Sequence, residues 1–345
     1  MRRCLQLAAM GAGNVAPNPM VGALLVYQNR IIGEGYHQQY GAAHAEVNCI
    51  SSVKENDRVF IEQSTLYVSL EPCAHFGKTP PCVDLIIKNK IQNVVIGCRD
   101  SFKEVNGSGI EKLKLAGVQL ISTMLENECR EMNRRFFTFH EKQRPYIILK
   151  WAESKDGFMS SGNSARLLIS NELTNRLVHQ WRSKEPAILV GTNTAQQDNP
   201  ELTTRLYPGK NPVRLVIDNE LRLPTGLKLF DGSSKTIVFN YNRHSDDGNL
   251  IYYKVNKEEE SITQILAAVY AMQIQSVIVE GGSKLLQSFI DYGLWDEARV
   301  ITNTEMEIGT GQQAPQLNDG MEIKKQMLKQ DCIIYFRKEA GESNQ

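Results

Sequence analysis

Short apolar runs recur along the chain, separated by stretches whose apolar positions fall three or four residues apart. GALLVYQ (22–28) and RIIGEGY (30–36) flank Asn29, a turn former, and predict a hairpin; HAEVNCISSVKEN (44–56) carries its apolar residues at helical spacing. TLYVSL (65–70) predicts a strand, a helix follows from near Cys82, NVVIGCRD (93–100) is again a strand, a helix ends at Gly117, and VQLIS (118–122) closes the alternation. A charged amphipathic helix is expected over roughly 126–140. Strands alternating with helices predict an α/β layered domain. Arg144 precedes Pro145 and so disfavours helix, which places the first domain at 1–144.

The pattern restarts with YIILKWA (146–152), and AILVG (187–191), VRLVID (213–218), TIVFN (236–240) and SVIVE (276–280) are strand candidates. Helices are expected at about 170–182, 261–275 and 283–293, with an extended CIIYFRK (332–338) near the end, so 145–345 reads as a second α/β domain. The length agrees, since 345 residues exceed what one hydrophobic core serves well.

Composition narrows the function classes. Hydrophobic residues at 41% and charged residues at 23% are ordinary globular values. The 39 basic side chains balance 39 acidic ones, so no global positive field attracts a polyanion, and nucleic acid is not an expected partner. The apolar N-terminal patch is too short, and too broken by Gln6, Gly11 and Gly13, for a signal segment, and no run is long enough to span a bilayer; no membrane partner is expected. Seven scattered cysteines, an odd number, fit a reducing compartment, and the cytoplasm is the expected location.

The residues that carry chemistry are HAE at 44–46 and EPCAHFGKTPPC at 71–82. A catalytic zinc takes three protein ligands and leaves a fourth position open, which His44, Cys73 and Cys82 satisfy. Such a zinc acidifies water for attack on an amidine-like ring carbon, and Glu46 is placed to carry the proton to the departing amine. An H-x-E triplet with P-C-x-x-C is the signature of zinc nucleobase deaminases. Here eight residues, AHFGKTPP, stand between the cysteines instead of two. That loop, with His75, Lys78 and two prolines, is stiff and polar and suits a pocket wall for a substrate larger or more anionic than a free base. Two other readings remain: a structural zinc closed by His75 as fourth ligand, and a zinc-stabilised binding module without chemistry. Asn18 and His37 are candidate substrate contacts or ordinary turn residues.

PNPMVGALLV (17–26), GEGYH (33–37), HAEV (44–47), YVSLEPCAHFGKTPPC (67–82), VNGSGIEKLKLAGV (105–118), RPYIILKWAESKDG (144–157), AILVGTNTAQQDNPELTTR (187–205) and VEGGSKL (279–285) together resemble the bifunctional riboflavin-biosynthesis family. In that family a diaminohydroxyphosphoribosylaminopyrimidine deaminase is fused to a 5-amino-6-(5-phosphoribosylamino)uracil reductase, and the long cysteine spacer belongs to this deaminase branch. The resemblance covers nearly the whole length. It implies an N-terminal cytidine-deaminase-like three-layer domain followed by a dihydrofolate-reductase-like α/β domain, with Zn2+ and NADPH as cofactors and a phosphoribosyl-pyrimidine as substrate. It leaves homo-oligomerisation open.

Carried across position by position, the resemblance implies NADPH contacts at Ala152, Arg166, Thr194, Asp198, Asn219, Gly282, Ser283, Lys284 and Leu285. Substrate contacts are implied at Ser164, Arg182, Leu202, Arg205 and Glu280. Glycine before a helix also suits phosphate on physical grounds, because the backbone can approach closely and the helix N-terminus attracts anions. Arginine forks suit phosphate too, although Arg182 at a helix end is equally a partner for the last carbonyls. Lys150, on a strand, is a candidate proton donor to the ribose or an ordinary strand lysine. The remaining rival is a deaminase whose second domain has become a scaffold.

Overall fold

The structure, a computed structural model, describes residues 1–77, 79–102, 105–121, 123–162 and 167–338. Lys78, Ser164 and Arg166 lie outside the described residues. The chain divides into two units, Met1–Gln143 and Arg144–Gln345. Arg144 falls with the second because its guanidinium makes a bidentate pair with Asp296 at 2.6 and 2.8 Å.

The first unit is built on a five-stranded sheet, β1 (Gly22–Tyr27), β2 (Arg30–Tyr36), β3 (Thr65–Leu70), β4 (Asn93–Cys98) and β5 (Gln119–Ile121), in the order β2-β1-β3-β4-β5. β1 runs antiparallel to both neighbours, whereas β3, β4 and β5 are parallel. Gln28 and Asn29 both take positive φ, 46° and 63°, and close the expected hairpin.

Among the described residues six α-helices cover the sheet: α1 (Arg2–Ala9), α2 (Ala45–Ser51), α3 (Cys82–Lys88), α4 (Ser108–Leu115), α5 (Glu126–Met132) and α6 (Arg134–Lys142). Alternation along the strands sends Ala23, Leu25, Leu66 and Val68 to one face, where they pack on Ala45, Cys49, Val83, Ile86 and Leu113 of α2, α3 and α4. Leu24 meets Cys4 and Leu7 of α1 on the other face, and Leu70 and Cys98 meet Cys129, Phe136 and Phe137 of α5 and α6. The result is the expected three layers. α2 lies directly on β2 because Gly35 and Gly33 carry no Cβ; a side chain at Gly35 would collide with the backbone of Cys49. That close approach fixes the start of α2, where His44 and Glu46 sit.

Two expectations fail locally. The helix predicted over 44–56 stops at Ser51, and the Ser52 hydroxyl turns back to donate to the Cys49 carbonyl at 2.7 Å. The single helix expected over 126–140 is two, broken at Asn133. Its side chain accepts from the Met20 N–H (2.7 Å) and donates to the Met20 carbonyl (2.9 Å), bonds that no periodicity announces.

The second unit carries β6 (Tyr146–Ser154), β7 (Phe158–Ser160), β8 (Ala187–Gly191), β9 (Val213–Ile217), β10 (Thr236–Asn240), β11 (Ser245–Asp246), β12 (Leu250–Lys254), β13 (Ser276–Val279), β14 (Glu297–Asn303), β15 (Gln312–Gln313), β16 (Gly320–Leu328) and β17 (Asp331–Lys338). Ten of them form one sheet in the order β11-β12-β10-β9-β8-β13-β6-β14-β17-β16, and β7 pairs with β15. From β12 to β14 the strands are parallel; β11, β17 and β16 are antiparallel additions at the two ends. The central strands β8 and β13 read as nearly unbroken apolar runs because both faces are covered, whereas Arg214 interrupts β9 and Glu297 and Arg299 interrupt β14. Ile147 and Leu149 face α9 (Ser261–Ala271) and α10 (Ser283–Asp291), while Ile148 faces α7 (Glu172–Arg182) and α8 (Thr192–Asp198). Among the described residues no helix is long and apolar enough to cross a membrane.

Candidate active sites

Two helix starts and one strand end bring the first site together. His44 is the N-cap of α2, with Glu46 in its first turn; Cys82 opens α3 directly after the N-cap Pro81; Cys73 lies just past the end of β3. His44 Nδ1 is 3.6 Å from Cys73 Sγ and 3.3 Å from Cys82 Sγ, and the three ligand atoms lie within 4.8 Å of one another. One imidazole nitrogen and two thiols in this arrangement fit zinc, and among the described residues no fourth His, Cys, Asp or Glu joins them. His75 is not a fourth ligand; its ring packs against Phe102, centroids 6.0 Å apart.

The surroundings favour thiolate at one of the two sulfurs, Cys73, while its hydrogen bond to Cys73, burial and the Glu46 charge push the Cys82 thiol up. Hydrogen bonds from the Cys82 thiol, His44 and the Cys82 backbone N–H pull the Cys73 thiol down to about 4 against the opposing effect of burial. Burial pushes the Glu46 carboxyl up, and the neighbouring Cys73 charge adds to it. The outer nitrogen of His44, Nε2, lies 3.4 Å from Thr79 Oγ1.

His37, expected as a substrate contact, is 2% exposed and has both ring nitrogens engaged. Its Nδ1–H donates to the Ala43 carbonyl at 3.0 Å, which leaves Nε2 to accept from Asn18 Nδ2 at 3.0 Å. Sequence reasoning missed two buried carboxyls beside this site. Glu71 accepts four backbone N–H groups, from Asp100, Gly107, Gly109 and Ile110, at 3.0–3.3 Å. Asp100 is held up at about 7 by burial, with the Glu71 and Cys73 charges adding to it against the Phe102 N–H. The EPC and CRD contexts signalled only a ligand and a strand end.

In the second unit the cofactor candidates gather at the carboxyl ends of the adjacent parallel strands β8 and β13, where open α/β sheets take ligands. The Gly191 N–H donates to the Gly281 carbonyl at 3.0 Å, Gly282 is the N-cap of α10, and Ser283, Lys284 and Leu285 form its first turn. A Cβ at Gly282 would stand 3.1 Å from Thr194 Oγ1, so the missing side chain leaves a cradle between the starts of α8 and α10 that suits a pyrophosphate. Asp198 ends α8, and Ala152 and Lys150 project from one face of β6. Asn219, after β9, donates to the Tyr241 hydroxyl at 3.0 Å, and its buried Oδ1 has no hydrogen-bond partner.

The substrate candidates form a charge cluster. Arg182 binds Glu280 bidentately at 2.8 and 2.7 Å and donates to the Thr203 carbonyl, so its fork is committed inside the protein. Lys150 Nζ lies 3.7 Å from Glu280 Oε2. Burial pushes the Glu280 carboxyl up, but the Arg182 and Lys150 charges outweigh it and hold it at about 2. Leu202, with φ of 53°, buries its side chain in the core, which leaves its backbone for any ligand. Arg205 is half-exposed, 3.5 Å from Glu201. His179, missed in the sequence, is buried on α7 within reach of the same charges.

A deaminase-type His/Cys/Cys centre in one unit and a ligand-binding parallel sheet with paired glycines in the other define a two-domain deaminase–reductase. Residues 1–98 match the cytidine and deoxycytidylate deaminase zinc-binding region, and residues 145–333 match the RibD C-terminal domain. The chain is 33% identical to riboflavin biosynthesis protein RibD of Aquifex aeolicus, over 98% of this chain and 97% of that one. It is 37% identical to the RibD of Bacillus amyloliquefaciens over 86% and 81%. A solved structure from Thermotoga maritima, a diaminohydroxyphosphoribosylaminopyrimidine deaminase/5-amino-6-(5-phosphoribosylamino)uracil reductase, superposes with a TM-score of 0.87 at 34% identity, covering 98% and 97%. The chain belongs to the riboflavin biosynthesis protein RibD family.

Proposed function

We propose that the chain carries out two successive steps of riboflavin biosynthesis, each in its own unit. The first is hydrolytic deamination of 2,5-diamino-6-(5-phosphoribosylamino)pyrimidin-4(3H)-one. The second is NADPH-dependent reduction of the ribosyl side chain of 5-amino-6-(5-phosphoribosylamino)uracil to ribityl. The convergence of His44 Nδ1 and the Cys73 and Cys82 sulfurs beside a buried Glu46 carries the first assignment. Family membership over both domains supports the pairing with the second.

His44, Cys73 and Cys82 would hold zinc, which would supply a Lewis acid able to bring the pKa of water to about 7. Glu46, buried and two residues from His44, takes the proton at its carboxylate and returns it to the leaving amine. His37 holds Asn18 and the backbone before His44, so that Asn18 is the residue of the two that meets the pyrimidine. In the second unit NADPH supplies the hydride. Thr194 and the first turn of α10 would hold its phosphates, and Lys150, 3.7 Å from Glu280, would present Nζ to the ribose oxygen. Seven free cysteines accord with a cytoplasmic enzyme.

The test follows ammonia release and NADPH absorbance together on the zinc-loaded protein given the diaminopyrimidinone. Ammonia followed by equimolar NADPH oxidation is expected, and Glu46→Gln should keep zinc while losing both signals. Ammonia without NADPH oxidation would sink the reductase assignment; zinc uptake without ammonia would return the metal to a structural role.

A further inference from the structure

The eight-residue spacer between the cysteines exceeds the usual two, and the zinc reading alone gives those residues no task. We propose that Thr79 in this spacer is a positioning residue for the metal centre: its Oγ1 accepts the Nε2–H of His44 and fixes the ligand's tautomer and ring orientation. The inference rests on the zinc reading above and goes beyond it.

The two nitrogens of His44 face different groups. Nδ1 points at the two sulfurs, 3.6 and 3.3 Å away, so it is the nitrogen that offers its lone pair to the metal. With the metal on that lone pair, the single proton of the neutral imidazole, which otherwise serves the Nδ1 hydrogen bond to Cys73, must sit on Nε2. Thr79 Oγ1, at 3.4 Å, is the hydrogen-bond partner of that nitrogen among the described residues. Metal-bound histidines characteristically donate their second N–H to an outer acceptor, which locks the ring and raises its basicity.

The chain holds Thr79 in place by its own stiffness. Thr79 precedes Pro80, which keeps its backbone out of the helical region, and Pro81 then caps α3 just before Cys82. The acceptor and the ligand Cys82 therefore share one short rigid arm, so that a single segment supplies a sulfur to the metal and orients the imidazole opposite. A two-residue spacer has no room for such an arm.

Zinc affinity of the full-length protein, measured by competition with a chromogenic chelator, tests the proposal alongside thermal unfolding of the metal-free forms. Thr79→Val, which keeps shape and loses the acceptor, should weaken zinc binding by about 10–100-fold. Thr79→Ser should bind near the wild-type level, and metal-free Thr79→Val should unfold at the wild-type temperature. Wild-type affinity in Thr79→Val would overturn the proposal, as would equal loss in Val and Ser variants, which marks a packing role. A wild-type protein that takes up no zinc would overturn the metal reading itself, a different failure.

Discussion

His179 sits among three cations and stays uncharged. Burial lowers its pKa first and the Arg182 and Arg205 charges lower it further, from 6.5 to about 4, while its Nδ1 accepts from the Leu206 N–H at 3.4 Å. The native state therefore resists a proton that the unfolded chain accepts between pH 6.5 and 4. Its contribution is fully present above pH 6.5 and is lost as pH falls through that window, by at most about 3 kcal/mol. All three tryptophans, Trp151, Trp181 and Trp295, lie in the second unit, so their fluorescence in urea reports on it. The urea midpoint should fall more steeply from pH 6.5 to 4 in the wild type than in His179→Gln; equal slopes would refute the account. Nothing in the local sequence marks His179, since its neighbours Glu280 and Arg205 are brought to it only by the fold. The zinc ligands are the opposite case: their spacing is chemistry written locally, and the structure assembles the same three atoms.

At the scale of elements, Glu71 acts as a helix cap supplied from elsewhere in the chain. The N-cap of α4 is Gly107, which has no side chain, and the Glu71 carboxylate takes the N–H groups of Gly109 and Ile110 instead. Its other oxygen takes those of Gly107 and Asp100, tying the loop after β4 to the loop that carries Cys73. Glu71→Gln sets an amide NH2 against two of these donors, at a cost of about 1–3 kcal/mol. Amide exchange at Gly107, Gly109 and Ile110 should then quicken by roughly 10–100-fold, with the amides of β6 and β13 unchanged. Unaltered exchange at those amides would show that the clamp contributes nothing. Periodicity located β1 to β5, the parallel strands β6, β8, β9, β10 and β13, and β17, because strands with apolar faces to bury are largely apolar. It missed β12, the buried β14, whose apolar run Glu297 and Arg299 interrupt, and β16, whose residues are mostly exposed at the sheet edge. It also ran α5 and α6 together, because Asn133 is an unremarkable polar position until Met20 is folded against it.

For the molecule as a whole, each chemistry is contained within one core. The zinc ligands and Glu46 lie in Met1–Gln143, and Lys150, Arg182, Glu280 and the glycine cradle lie in Arg144–Gln345. Each unit packs its own hydrophobic clusters and all three metal ligands belong to the first, so losing the metal withdraws binding energy from that unit. Chelation should therefore abolish ammonia release and leave NADPH oxidation intact when the deaminated uracil intermediate is supplied. The tryptophan-monitored unfolding curve should likewise keep its midpoint, while amides of α2 and α3 exchange faster. A parallel loss of reductase activity on chelation would mean that the units are energetically coupled and that metal at His44, Cys73 and Cys82 supports both sites. Restoration of ammonia release alone on returning zinc would establish that the two steps share a chain while each depends on the integrity of its own fold.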